Sequence, residues 1–207
     1  MPRLHVVTDD AVLARPDFVS VASALLEAGG PEAALHIRGH DTSGRALFEH
    51  ASALKPVAEH TSSALFINDR VDVALAMSAH GVQLGTRSMA VGTARGLLGP
   101  EVSIGASTHD PSEAQTADEE GADFAFVGTL FPSHSHPDRR SSGADLLGTV
   151  RDAVDGLPLI GIGGIRVEGV EYVLSLGAVG VAVIGGIWGA EDPREAVRAY
   201  LSALRAK

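Results

Sequence analysis

The chain has 207 residues, 45% hydrophobic and 20% charged, with a formal net charge of -10 from 26 acids against 16 bases. That length suits one domain with a substantial core, and that balance excludes a disordered chain and a general nucleic-acid binder, which needs a basic face for phosphates. The absence of cysteine excludes disulfides, thiolate metal sites and cysteine nucleophiles.

The opening MPRLHVVTDD lacks the apolar stretch and cleavage site of a secretory signal. From there the chain alternates short apolar runs with longer amphipathic stretches. A strand over 4–7 precedes a helix over 17–27, one over 33–37 a helix over 43–59, and one over 64–67 a helix over 69–78. The next units pair 81–84 with 90–98 and 102–106 with 111–120, where Asp110-Pro111-Ser112-Glu113 is a helix-start signal. A strand over 124–127 leads into an irregular connection over 129–143, rich in Ser, His, Pro and Arg, before a helix over 144–154. Strands over 159–162 and 179–184 precede helices over 167–176 and 193–204. Gly29, Gly121 and Gly177 stand where helices end in a left-handed residue. The longest apolar runs, such as 179–187, fall short of the ~20 residues that span a bilayer, so a cytoplasmic protein without membrane contact is expected.

Eight strand–helix units predict a small (β/α)8 barrel, a single domain over 1–207. A doubly wound open sheet has the same alternation, and periodicity does not separate the two. In a barrel the residues just beyond each strand converge on one rim. Those residues are Thr8, Asp9 and Asp10; Arg38 and His40; Asn68 and Asp69; Gln83, Gly85, Arg87 and Ser88; and Ser107, Thr108 and His109. The long connection, with Ser133, His134, Ser135 and His136, is the first suspect for a site loop. Arg38 can grip a carboxylate or phosphate with two parallel hydrogen bonds, or form a rim ion pair with Asp9 or Asp69. Asp69 fits a helix cap as well as a ligand contact. Gly163, Gly164, Gly185 and Gly186 form turns after the seventh and eighth strands, where backbone amides can approach a phosphate, although tight-turn packing explains glycines too.

Among the nine histidines, His50 and His60 read as surface residues and His5 as an interior one. His80 belongs at the far end of the barrel, and the direction of His36 is open. His40, His109, His134 and His136 fall on the functional rim, where one can exchange a proton. No helical His pair supports a metal cluster there.

The segments LHVVTDD, LHIRGH, FINDRVDVALAMSAHGVQLG, IGASTHDPSEA, FVGTLFPSHSHPD, IGIGGI and VAVIGGI, in this order and spacing, resemble the thiamine phosphate synthase family together with its relative, the thiazole tautomerase TenI. The resemblance implies a (β/α)8 barrel and a phosphorylated thiazole as ligand. Thiamine phosphate synthases join a pyrimidine pyrophosphate to a thiazole phosphate with Mg2+. Their second-strand lysine position here is His40, one of two magnesium-holding aspartate positions is Ser88 beside the retained Asn68-Asp69, and the lysine of their sixth-unit loop is His136.

These losses weaken a pyrophosphate site, and the expectation is therefore a TenI-like isomerase that aromatises a thiazole carboxylate phosphate without metal or cofactor. In that reading Arg38 holds the carboxylate, with Asn68, Ser107, Thr129, Ser133 and Ser135 as further substrate contacts. Gly163, Gly164, Gly185 and Gly186 cradle the phosphate. The tautomerase's histidine position reads Thr129, so His134, His136 or His40 serves as acid–base. The alternatives are a Mg2+-dependent synthase and a non-catalytic phosphate-binding regulator. A homodimer stays open.

Overall fold

In the computed structural model, which describes residues 1–132 and 142–206, every expected strand forms. They are β1 (Leu4–Val7), β2 (Ala33–Ile37), β3 (Ala64–Asn68), β4 (Gly81–Leu84), β5 (Ser103–Thr108), β6 (Phe124–Val127), β7 (Leu159–Ile162) and β8 (Gly180–Val183). Each is parallel to the next, and β8 closes onto β1 with Leu4 opposite Val181, giving a closed barrel in sequence order. Closure rules out the open sheet. Continuous apolar runs form these strands because both faces are covered, by helices outside and side chains inside.

The helices are α1 (Asp10–Leu13), α2 (Phe18–Gly29), α3 (Gly44–Thr61), α4 (Val71–Met77), α5 (Val91–Leu98), α6 (Pro111–Glu119), α7 (Asp145–Arg151), α8 (Val170–Ser175), α9 (Gly185–Trp188) and α10 (Pro193–Arg205). Asp110 caps α6 by accepting the Glu113 N–H at 2.9 Å. Gly121 and Gly177 take positive φ as expected. Gly29 does not, because α2 runs on to include it and the positive φ falls on Gly30. None of the described helices is long and apolar enough to cross a membrane.

The main core lies between sheet and helices, and a second, smaller cluster fills the barrel with Phe66, Phe124 and Phe126. Large rings from β3 and β6 need small partners on neighbouring strands. A Cβ at Gly81 would stand 2.4 Å from Phe66, and one at Gly105 would stand 2.4 Å from Phe124 and 2.2 Å from the Gln83 Oε1. These glycines make room inside the barrel, which is a packed core. His36 points inward with His5, and both are fully buried.

Candidate active site

A cavity of about 1260 Å3 opens at the C-terminal mouth of the barrel, where the polar ends of the strands converge. Arg38, His40, Asn68, Ser107, Thr129, Gly163, Gly164, Gly185 and Gly186 all line it, so the structure brings these expected site residues together. His134, His136, Ser133 and Ser135 lie outside the described residues. Their loop is pinned at its base: the Ser142 N–H donates to the Thr129 carbonyl at 2.8 Å, and Leu130 and Phe131 donate to Ile162 and Gly163 at 3.0 Å each.

The ends of β1 and β2 are tied by Thr8, whose hydroxyl accepts the Arg38 N–H at 2.7 Å and donates to the Arg38 carbonyl at 2.8 Å. Thr8 is therefore a buried brace. Asp9 caps α1, accepting the Val12 N–H at 2.9 Å. Asp10 holds the loop after β2, accepting from the N–H groups of His40 and Asp41 and from the Thr42 hydroxyl at 2.6 Å. Burial raises its pKa, but these hydrogen bonds outweigh that and keep the carboxyl below its usual range. With its side chain so engaged, Asp10 is a scaffold residue. The Arg38 guanidinium donates to His40 Nε2, a contact within its own loop.

Asp69 departs from its helix-cap reading. The N-cap of α4 is Arg70, without a side-chain bond. Asp69 instead has φ 62°, and the Arg70 N–H closes onto the Asn68 carbonyl at 2.7 Å. That is a γ-turn of positive φ, a rare and strained form costing about 1–3 kcal/mol. The turn places the Asp69 carboxylate against the loop after β4, where it accepts from the Gly85 N–H at 2.9 Å and from the Ser88 hydroxyl. Arg70 pairs with Asp72, its Nε donating at 2.8 Å. The two positions compared with the synthase magnesium pair thus meet in space.

The glycine turns divide in role. Gly163 has φ 100° and Gly164 φ 65°, and a Cβ on Gly164 would stand 2.5 Å from the Pro132 carbonyl oxygen. A Cβ on Gly186 would strike the Tyr200 hydroxyl at 2.4 Å, whereas one on Gly185 would meet open space. Gly186 thus also serves packing, and Gly185 leaves its backbone accessible. Gly185 and Gly186 begin α9, so their N–H groups have no intrahelical acceptor, and both residues line the cavity.

Arg166, which is not among the residues expected at the rim, lines the cavity together with Arg87. Four arginines (38, 70, 87 and 166) stand there against two aspartates (69 and 72) among the described residues, in a chain whose net charge is -10. A cavity this positive within an acidic protein concentrates polyanions. His109 is held by Glu113, with Nδ1 3.1 Å from Oε2. Among the described residues no three His, Cys, Asp or Glu side chains group as a metal site.

A family profile described as thiamine monophosphate synthase matches residues 4–187. The thiamine-phosphate synthase of Pyrococcus abyssi is 37% identical over 94% of this chain and 90% of its own. That of Xanthobacter autotrophicus is 39% identical over 98% and 95%. The solved thiamine phosphate pyrophosphorylase from Pyrococcus furiosus superposes with a TM-score of 0.84 at 33% identity, covering 98% of this chain and 95% of that one. These relatives overturn the expectation of a thiazole tautomerase. That expectation counted charges position by position, at His40, Ser88 and His136, whereas a polyanion feels the sum over the rim, to which Arg87 and Arg166 contribute.

Proposed function

The chain belongs to the thiamine monophosphate synthase family, and from that premise we propose that it joins a pyrimidine pyrophosphate to a thiazole phosphate, releasing pyrophosphate. The observation that carries this reading is the excess of arginine over aspartate around the cavity. A diphosphate leaving group needs that charge, and a substrate with one phosphate needs less of it.

Arg38, Arg87 and Arg166 offer planar donor forks to the pyrophosphate oxygens. Gly163, Gly164 and Gly185 bring backbone amides to the phosphate of the thiazole. Ser107 and Thr129 contact the rings between them. The carbon–oxygen bond to pyrophosphate breaks as a carbon–nitrogen bond to the thiazole forms. That exchange calls for no proton abstraction, so Thr129 at the tautomerase's histidine position is no obstacle. The fixed cations stabilise the charge that develops on the leaving group.

Mg2+ is commonly held by one or two carboxylates, with substrate phosphates and water completing its shell. The Asp69 carboxylate and the Ser88 hydroxyl, meeting at one point, are hard oxygen donors that fit this ion. There Asp69 and Ser88 would hold the ion, which would supply positive charge to the pyrophosphate oxygens.

The test supplies both phosphorylated precursors with Mg2+ and follows thiamine phosphate and pyrophosphate together. Stoichiometric formation of the two, lost on chelation, is expected. Binding of thiazole phosphate without turnover would leave the chain a phosphate-binding protein and end this reading.

A further inference from the structure

Two imidazoles sit inside the barrel beneath the cavity. His5 on β1 and His36 on β2 are fully buried among Phe66, Phe124 and Phe126, and the His36 ring stacks on Phe66 at 4.7 Å between centroids. His5 Nδ1 lies 2.8 Å from His36 Nε2, and His5 Nε2 lies 3.1 Å from the Pro2 carbonyl oxygen.

In this dry environment both rings are neutral, so each carries one N–H. A carbonyl oxygen only accepts, so the His5 proton is on Nε2. His5 Nδ1 is then an acceptor and the His36 proton must be on Nε2. His36 Nδ1 is left with a bare lone pair, and among the described residues no donor meets it in this placement.

His36 stands opposite Phe66 of β3, so Asn68, two residues further along that strand, shares the inward face and is the side-chain hydrogen-bond neighbour of that ring. Asn68 lines the cavity, is 8% exposed, and has its Oδ1 buried without a donor. Two acceptors cannot satisfy one another. Oxygen and nitrogen of a carboxamide are assigned from their hydrogen bonds, and exchanging them resolves both vacancies: Nδ2 donates to His36 Nδ1 and Oδ1 turns to the cavity.

We propose that His5 and His36 are positioning residues that orient Asn68, so that the cavity floor presents its carbonyl oxygen and accepts a hydrogen bond from the N–H-bearing part of the ligand. Phosphate oxygens, which are acceptors, are turned away from this spot toward the arginines. The chain from Pro2 through His5, His36 and Asn68 carries one orientation from the closed end of the barrel to the open one. Applied to a pyrimidine substrate, the inference rests on the function proposed above; the orientation itself does not.

The first measurement is a long-range 1H–15N spectrum of the labelled full chain at neutral pH. It should show His5 and His36 neutral with the proton on Nε2 in both. A proton on Nδ1 of His36, or an imidazolium, overturns the proposal without reference to turnover. The second compares His36→Phe and His36→Gln. Phenylalanine should raise KM for the pyrimidine substrate about tenfold, the scale of one lost hydrogen bond with its orientation, and leave the affinity for inorganic pyrophosphate unchanged. Glutamine, which can accept from Asn68, should recover most of the loss. Equal weakening of pyrimidine and pyrophosphate binding, or no rescue by glutamine, would reduce the pair to packing.

Discussion

The Ser88 hydroxyl donates to Oδ1 of Asp69, the same oxygen that takes the Gly85 N–H. In the synthases that the sequence resembles, a second carboxylate stands where this hydroxyl does. Restoring it with Ser88→Asp puts two like charges side by side, which is unfavourable until a cation joins them. The variant should melt lower than the parent in chelator and recover with Mg2+, and its half-activating Mg2+ concentration should fall about tenfold. An unchanged Mg2+ requirement would show that this pair does not hold the ion.

Gly164 has φ 65°, and the Pro132 carbonyl oxygen lies 2.5 Å from the place a Cβ would take. Gly164→Ala therefore meets left-handed strain of about 1–2 kcal/mol and displaces the 131–132 segment. A lower Tm and a KM for thiazole phosphate raised at least about tenfold are expected. Gly185→Ala faces open space and should keep its Tm while weakening only phosphate affinity. A Gly164→Ala protein with parental KM would remove that turn from the phosphate subsite.

Much of this architecture was legible in the residues. Each strand of the barrel is a short apolar run because helices cover its outside, and the starts and ends of β1, β2, β4, β6 and β7 fall where the apolar residues do. The short helices α1 and α9 were not anticipated, since four residues are too few for a helical period. The direction of His36 was not readable either. A strand buried on both faces loses the alternation that tells in from out. Asp69 was ambiguous in sequence because a cap and a γ-turn use the same residue type, and only φ separates them. The larger misreading was electrostatic: His40 and Ser88 are visible as losses at fixed positions, while Arg166 lies beyond the glycine turn that drew attention and counts only once the rim is assembled.

Arg87 is exposed at the cavity mouth, next in sequence to Ser88. If its guanidinium meets the pyrophosphate, Arg87→Ala should raise KM for the pyrimidine pyrophosphate about tenfold and steepen the dependence on Mg2+. KM for thiazole phosphate should not change. Arg87→Lys should retain the charge but not the two-pronged contact, and fall between. Equal effects on both substrates would mean that Arg87 acts through the general field of the cavity.

The buried histidines make stability depend on mild acid. Burial depresses His5 to about 3, against the hydrogen bond to Pro2; burial, then the repulsion a protonated His5 would exert, hold His36 well below its usual value, against a hydrogen bond to Asn68. In the unfolded chain both titrate near 6.5, so below that pH the unfolded state binds more protons than the folded one. Their contribution is complete above pH 6.5 and is lost progressively as the pH falls toward the folded values. At pH 5 the loss from His5 is about 2 kcal/mol, and His36 adds a loss of the same sign. His50, part-buried, and the more exposed His80 are shifted the same way and add smaller losses in the same window. Asp10, whose folded pKa is lowered, is protonated only at lower pH and leaves the window to the imidazoles. Urea unfolding at pH 7.5 and pH 5 should therefore show a drop of about 2 kcal/mol or more. A His5→Phe, His36→Phe double variant should lose most of that drop. A parental pH slope in the double variant would place the acid sensitivity elsewhere.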